Sequence, residues 1–499
     1  MSSKASWSPE HAGAKCDECP LKHKRTGQPV RPEIKAGTHI LFVGQEPGPA
    51  EAAKGKPFIG GAGQELDRLL AKIGLQRSDV SIDNAIACCP ADGHGKPLKG
   101  GLTSLIAQIK TKNAYALRTW RVRAKAAVAE AKVVHKDWWK KGKDETKEAC
   151  HARREAYIKG IIGEPAITKS PVTCCAPRLA RNVSRYSQII PLGGLATKCI
   201  TGKEEGINAL RGDTITLPDG KRVVPTFNPA ALLREARHLR WVVERDLSKA
   251  LRFFRGELQW DREAVDARIE YNPSLDRLEE ILFGPQSTDV DRWTYDWETT
   301  KGDPLAVTPK CISIGWRDRW TKVWSACVLI HRDAATLQVL DHVILPDGSV
   351  RPAGETYWQA ATKLLVERWQ HDDEDGRAVW YGQNAGNFDR MVSECHLGYA
   401  PLKLVDLLLL HRASFPQLRH NLALIGTTLT DIGAWKVDEA GDAMALSDDN
   451  FSLWHYCALD SIVTGMCVDA LLDGDYLRDV PSLLRSDYFR PMPCAALGE

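Results

Sequence analysis

Three short acidic motifs set the tightest limit on what the second half of this chain can become. Asp296-Trp-Glu298 ends a run of strand-forming residues that begins at Trp293. Asn384-Ala-Gly-Asn-Phe-Asp389 follows the strand-like Ala378-Val-Trp-Tyr381, and Tyr456-Cys-Ala-Leu-Asp460 completes the set. Residues two apart in a strand share a face, so Asp296 and Glu298 project together. Residues four apart in a helix also share a face, so Tyr456 and Asp460 do the same. An α/β fold that closes these elements on one point gathers carboxylates whose repulsion is costly unless cations neutralise it. Mg²⁺ or Mn²⁺, bound through carboxylate and water oxygens, suits such a cluster. Two such ions about 4 Å apart activate a water and stabilise a leaving oxygen of a phosphodiester. The spacing therefore predicts a hydrolytic site with Asp296, Glu298, Asp389 and Asp460 as metal ligands and Tyr456 orienting the water. Any one motif alone reads equally as a solvated strand edge; the three in order carry the expectation.

A length of 499 residues allows two to four domains at roughly 100–200 residues each. Hydrophobic residues make up 43% and charged residues 26%, the balance of a soluble globular protein. No apolar run approaches the ~20 residues of a membrane helix, and the first fifteen residues lack the apolar core of a signal peptide. A cytoplasmic setting is expected (bacterial, or a phage-infected host), with no membrane partner. In that reducing compartment the 14 cysteines are poor disulfide candidates.

The net charge of +3 hides an asymmetry. Residues 96–169 hold 18 Lys/Arg against 7 Asp/Glu, whereas residues 289–499 hold 19 against 31. The basic stretch suits a polyphosphate partner. The acidic half is compatible with DNA when metal ions offset part of its charge.

The N-terminal half alternates strand and helix signals, an α/β pattern. Thr38–Val43 reads as a buried strand followed by the Gly44-Gln-Glu-Pro-Gly48 loop. Residues 61–75 place Leu66, Leu69, Leu70 and Ile73 on one helical face, and Val80–Ile86 reads as a second strand. Strand-to-loop signals recur near 189–196 and 223–230. Between about 93 and 170, Lys, Arg and Ala dominate, with Trp120, Trp138 and Trp139 interleaved. This predicts two inserted helices, either a solvated hairpin or an arm contacting DNA through lysines and stacking tryptophans. Residues 258–287 read as a connection. The expected domains are 1–257, with the basic helical insertion at about 93–170, and 288–499.

The acidic set, with Asp406-Leu-Leu-Leu-Leu-His411 and His420-Asn-Leu422 between its motifs, resembles the 3′–5′ proofreading exonucleases of family A DNA polymerases, the DEDD superfamily with a tyrosine in the last motif. The resemblance spans roughly 290–490. It implies a ribonuclease H-like sheet flanked by helices and single-stranded DNA 3′ ends as substrate. Polymerase motifs are lacking, so a DNA polymerase partner is expected on a separate chain.

Cys16-Asp-Glu-Cys19 is a thiolate pair that by itself fits zinc or an iron–sulfur cluster. The Cys88-Cys89 and Cys174-Cys175 pairs supply further thiolates. Asn84-Ala-Ile-Ala-Cys88 and Cys175-Ala-Pro-Arg-Leu179 resemble segments of the iron–sulfur uracil-DNA glycosylases, family 4 and its relatives. Gly44-Gln-Glu-Pro-Gly-Pro-Ala-Glu51, Lys56-Pro-Phe-Ile-Gly-Gly-Ala-Gly63 and Thr226-Phe-Asn-Pro-Ala-Ala-Leu-Leu-Arg234 extend the likeness over about 16–90 and 172–250. The resemblance implies a uracil-DNA glycosylase-like three-layer α/β/α domain and a [4Fe–4S] cluster held by Cys16, Cys19, Cys88 and Cys175, with Cys89 and Cys174 as neighbours.

It also implies a base pocket, since an enzyme acting on a base must take it out of the stack. Phe58 would stack on the uracil, Asn84 would pair with its O4 and N3–H edge, and Glu51 would crowd the C5 edge against thymine. Backbone N–H groups around Gln45 would hold O2. Two positions depart from the family. Asn228 replaces a histidine that stabilises the departing base, and loss of such a donor costs about 10²–10³ in rate. Glu46 stands where family 4 has a small residue and family 1 a water-positioning aspartate, so Glu46 reads as a general base. Three outcomes stay open for this half: excision of uracil, DNA binding without chemistry, or excision of another modified base. The whole resembles a bacteriophage fusion of a glycosylase-like domain to a proofreading-type exonuclease, active in DNA replication or repair.

Overall fold

The structure, a computed structural model, describes residues 7–92, 94–134, 139–140, 145–234, 236–258, 261–376, 378–433 and 449–473. Trp138, residues 434–448 and residues 474–499 lie outside them. By compactness the chain forms two units. One is residues 1–202 with 218–221 and 228–233, and the other is 203–217, 222–227 and 234–499. Both are α/β, as the sequence indicates.

In the first unit, β1 (Ile40–Gly44) lies between two parallel neighbours, β2 (Val80–Asn84) and β3 (Gln188–Pro191). Parallel strands buried on both faces read as continuous apolar runs, and Leu41, Phe42, Val43, Ile82, Ile189 and Ile190 are fully buried. Helices α1 (Pro49–Lys54) and α2 (Gly61–Lys72) follow β1, and Leu66, Leu69 and Leu70 form the buried stripe of α2. The insertion consists of α3 (Gly101–Val134) and α4 (Lys147–Ile162). Ser170 caps α5 (Pro171–Val183), with Pro171 at its first position, where a missing N–H costs nothing. β3 leads into α6 (Gly194–Thr201), and α7 (Pro229–Leu232) starts at Asn228.

The second unit begins with the hairpin β4 (Ile215–Thr216) and β5 (Arg222–Val223), then α8 (Arg240–Arg255). Its main sheet has β6 (Ile269–Tyr271), β7 (Val290–Thr299), β8 (Pro309–Asp318), β9 (Trp324–Ile330), β10 (Trp380–Gly382) and β11 (Leu404–Asp406), in the order β11-β10-β7-β8-β9-β6. The meander β7-β8-β9 is antiparallel, and β10 and β11 run parallel to β7 on its other side. That is a ribonuclease H-like arrangement. β6 comes from the stretch read as a connection; it pairs with β9. Asn272 fastens it, its amide bonding both the N–H and the C=O of Ile330. The Asn-Pro and Gly-Pro punctuation of that stretch marks the ends of short elements rather than an open tether.

Period-two alternation sorts the sheet residues into two cores. Tyr295, Trp297, Ile312, Ile314 and Leu329 face α9 (Leu275–Phe283) and α10 (Glu355–Asp375). Cys311, Ala326, Val328 and Ile330 face α14 (Asn450–Asp473). α14 lies close on the sheet because two glycines admit it. A Cβ on Gly465 would meet the Trp324 ring at 2.3 Å, and one on Gly315 would lie 3.3 Å from Ser461 Cβ. α11 (Asp389–Leu397) contributes Val392 to the core on the α10 side, whereas α12 (Leu407–Ser414) and α13 (Leu422–Leu429) pack into the core beside α14.

Candidate active sites

In the first unit, Gly44 ends β1 against two of the expected base-contacting side chains. A Cβ there would lie 2.7 Å from the Phe58 ring and 2.3 Å from Asn84 Oδ1. Bare backbone, an aromatic ring and an amide thus meet at one point. Phe58 is held in the left-handed region, at φ 51°. Its carbonyl accepts from Arg77 Nη1 at 2.8 Å, and Pro57 O accepts from Nη2 at 2.7 Å. Asn84 is buried, and its Oδ1 has no hydrogen-bond partner. An orphaned buried acceptor is costly in a packed interior and is what a base edge bearing N–H groups would satisfy.

Behind Asn84 is a fully buried ion pair. Arg178 reaches both oxygens of Asp83 at 2.8 and 2.9 Å and also donates to Asn84 O, while Asn182 donates to Asp83. The end of β2 is thereby fixed to α5. Glu51 is buried, and burial raises its pKa against the opposing effect of backbone N–H donors at Gly48, Phe58 and Ile59. Its carboxylate joins the start of α1 to the Phe58 backbone, with Gly48 N at 2.7 Å.

Gln45 and Asn228 are brought together at Gly193. A Cβ on Gly193 would sit 2.9 Å from Gln45 Nε2 and 3.4 Å from Asn228 Cβ. Asn228 Oδ1 caps α7 by accepting from Ala230 N at 2.9 Å, and its Nδ2 is 3.4 Å from Leu192 O. Glu46 points elsewhere: its Oε1 accepts from Leu102 N at 3.0 Å, in the first turn of α3.

The thiols of Cys16, Cys88 and Cys175 share one buried apolar cluster, against which Cys19 packs. Burial pushes the Cys16 and Cys19 thiols up to about 12 and Cys88 up to about 11, with the other cysteines of the group adding to each shift. Four thiols converging from three separate segments fit an iron–sulfur cluster or a zinc ion as ligand types. They are not drawn into a finished ligand cage: among the described residues no three His, Cys, Asp or Glu side chains close on one point in that way.

In the second unit, Asp296 and Glu298 stand half-buried on β7, on the face opposite Tyr295 and Trp297. α14 brings Tyr456 and Asp460 to that face. Burial raises the Tyr456 pKa strongly, and the charges of Asp460, Glu298 and Asp296 raise it further, together with a side-chain hydrogen bond to Asp460. The phenol therefore keeps its proton. Asp389 opens α11, and its Oδ1 accepts from Trp297 N at 3.4 Å. Burial pushes Asp389 up to about 7, with Asp406 and Asp460 adding to the rise. Tyr456 is thus within electrostatic reach of Asp296, Glu298 and Asp460, and Asp389 within reach of Asp460. Among the described residues these carboxylates do not close into a finished metal-ligand group, though the donor set is the all-oxygen type that Mg²⁺ or Mn²⁺ takes.

Asp406 was not among the expected site residues, although its motif was visible. It is buried at the end of β11, and it accepts from Asn384 N at 2.9 Å, Gly386 N at 3.2 Å and Leu408 N at 2.8 Å. It shapes the turn that delivers Asp389, in which Asn384 has φ 60°.

Residues 32–252 match the uracil DNA glycosylase superfamily. The chain is similar to the type-4 uracil-DNA glycosylase of Thermotoga maritima, 28% identical over 245 residues, which are 49% of this chain and 91% of that protein. It is also similar to those of Pyrobaculum aerophilum, 42% identical over 76 residues, and Archaeoglobus fulgidus, 44% identical over 75. These two matches take in 15% of this chain and 38% and 37% of those proteins. Among solved structures, the Nibbler EXO domain of Aedes aegypti aligns at 14% identity over 45% of this chain and 93% of that one, with a TM-score of 0.28. Brucella melitensis NrnC aligns at 17% over 42% and 81%, with a TM-score of 0.27. Likenesses this loose carry no inference about chemistry. Among the described residues, no helix is long and apolar enough to cross a membrane.

Proposed function

We propose that this chain is a DNA-maintenance enzyme of two parts: a uracil-DNA glycosylase-like domain over 1–257 and a Mg²⁺-dependent 3′–5′ exodeoxyribonuclease of the proofreading type over 288–499. The observation that supports the nuclease most directly is the electrostatic grouping of Asp296, Glu298, Asp389, Asp460 and Tyr456. Asp296, Glu298, Asp389 and Asp460 would hold the divalent cations. Such ions, when bound, supply Lewis acidity that activates water and stabilises the leaving 3′ oxygen. The protonated Tyr456 hydroxyl holds the attacking water, Asp406 fixes the turn that presents Asp389, and the substrate is the single-stranded 3′ end of DNA.

In the glycosylase-like part, Phe58 offers its ring to a flipped base and Asn84 offers the unsatisfied Oδ1 to the base's N3–H. The Asp83–Arg178 pair keeps that amide in place. Cys16, Cys19, Cys88 and Cys175 would hold a [4Fe–4S] cluster, which supplies a covalent tie between the N-terminal segment, the end of β2 and α5.

A second reading has its own support. The side chains most needed for bond cleavage are engaged elsewhere, Glu46 at Leu102 N and Asn228 at Ala230 N. In this reading the first domain grips DNA without cutting the glycosidic bond, and the nuclease serves a separate DNA polymerase.

A 5′-labelled, uracil-containing oligonucleotide in EDTA decides between the two. Abasic sites mark an active glycosylase; intact DNA with a loaded cluster marks the binding module. For the nuclease, D296A and D460A should each abolish Mg²⁺-dependent shortening from the 3′ end, and normal digestion by either variant would remove the metal-site assignment.

A further inference from the structure

We propose that one face of α3 is a track for the phosphate backbone of DNA. At about 100° per residue, Lys110, Arg118, Arg121, Lys125 and Lys132 fall within an arc of about 80° along ~33 Å of helix. All five are exposed, and among the described residues none of them forms an ion pair. The facing helix differs. On α4, Arg153 pairs with Glu145 at 2.8 Å, Lys159 pairs with Glu155 at 3.0 Å, and Arg154 lies over the Trp139 ring. The only acidic residue of α3 is Glu130, outside the stripe by the same helical count. A solvated helix face ordinarily mixes both signs. A stripe of one sign repels itself, and a polyanion relieves that repulsion while releasing its own counterions.

The arm is braced as a track requires. Ala127, Ala131, Trp139 and Ile158 form a small core between its helices. Trp120 Nε1 donates to Gly163 O at 2.7 Å, and Asn113 exchanges two hydrogen bonds with Thr168. Its root is held by Glu46, from the loop that also carries Gln45. The stripe's length is close to one turn of duplex DNA, ~34 Å. DNA is also the polyanion suited to a domain of the glycosylase superfamily.

The test uses the full chain and a uracil-free duplex in EDTA, so neither active site cuts the DNA. Binding is measured by fluorescence anisotropy across a salt series for the wild type, for K110Q/R118Q/R121Q/K125Q/K132Q, and for K112Q/R123Q on the opposite face. Glutamine keeps helix propensity close to that of Lys and Arg, and circular dichroism verifies the fold; R118Q/R121Q/K125Q provides a milder variant. The fivefold variant should bind at least ~10-fold more weakly and lose up to ~4.5 from the salt slope, at 0.9 per phosphate contact. The opposite-face variant should stay within about two-fold. Unchanged affinity and slope in the fivefold variant would overturn the proposal, as would an equal loss in the opposite-face control.

Discussion

The carboxylate of Glu46 accepts a hydrogen bond from the Leu102 N–H at 3.0 Å, so a residue of the loop after β1 caps the long helix of the insertion. Gly101 makes room for it, since a Cβ there would stand 2.2 Å from Glu46 Oε1, at a φ of +54°. The first four N–H groups of a helix have no partner within it, and an anion near them is favourable. E46A should therefore loosen the start of α3 by about 1 kcal/mol, as for loss of an N-cap. E46Q, which keeps an acceptor oxygen, should lose less. Hydrogen exchange at Leu102 reads this directly, and protection unchanged in E46A would refute the cap.

Asp406 acts on Asp389 through the backbone. D406A frees the N–H groups of Asn384, Gly386 and Leu408, and should lower kcat for Mg²⁺-dependent shortening by about 10², as for a 1 Å misplacement of a reacting group, with KM little changed. D406N keeps the oxygen that serves Asn384 and Leu408 and should recover part of the rate. Steady-state kinetics on a labelled oligonucleotide separate the two parameters.

Arg211 and Asp246, both fully buried, pair through two nitrogens, and Arg211 also donates to Thr427 and Thr428 at 2.8 and 2.9 Å. R211M leaves a buried carboxylate without its cation and should cost about 3–5 kcal/mol. R211M/D246L, which removes both charges, should regain most of it. Denaturant unfolding followed by tryptophan fluorescence gives both values.

His411 and His420 share a hydrogen bond between their Nδ1 atoms at 2.8 Å. Burial, with the neighbouring imidazole adding to the shift, lowers His411 to about 4. The unfolded chain, with an ordinary histidine pKa, takes up the proton first as pH falls. The stability this residue contributes is therefore present above about pH 6.5 and is lost between about 6.5 and 4, on the order of 3 kcal/mol at ~1.4 kcal/mol per unit. H411Q should flatten that part of the acid dependence, which urea midpoints at about pH 7.5 and about pH 4.5, on either side of ~6.5, would show.

The thiol cluster makes a compositional prediction. C16S and C175S should each reduce bound iron per chain after anaerobic purification, whereas C89S should not. Zinc in place of iron would select the other ligand class that Cys16 and Cys19 allow.

Much of the fold follows from local pattern. Leu66, Leu69 and Leu70 mark the buried stripe of α2, and Trp293 to Glu298 marks β7, because side-chain direction repeats every two residues in a strand and every 3.6 in a helix. The pairing of Asp296 with Glu298, and of Tyr456 with Asp460, has the same origin. Residues 258–287 misled for a reason of the same kind: Asn272-Pro273 looks like an open turn, while the side chain of Asn272 is spent on Ile330, 58 residues away.

The sequence by itself determined which residues share a face and which carry ligand chemistry, because backbone geometry imposes those relations within a few residues. Tertiary structure alone decided the partners: Glu46 with Leu102, Asp83 with Arg178, Asp406 with the turn at Asn384, and Arg211 with Thr427, 216 residues away. Such pairings depend on how distant segments pack and on which buried polar groups remain to be satisfied, and no local periodicity encodes either.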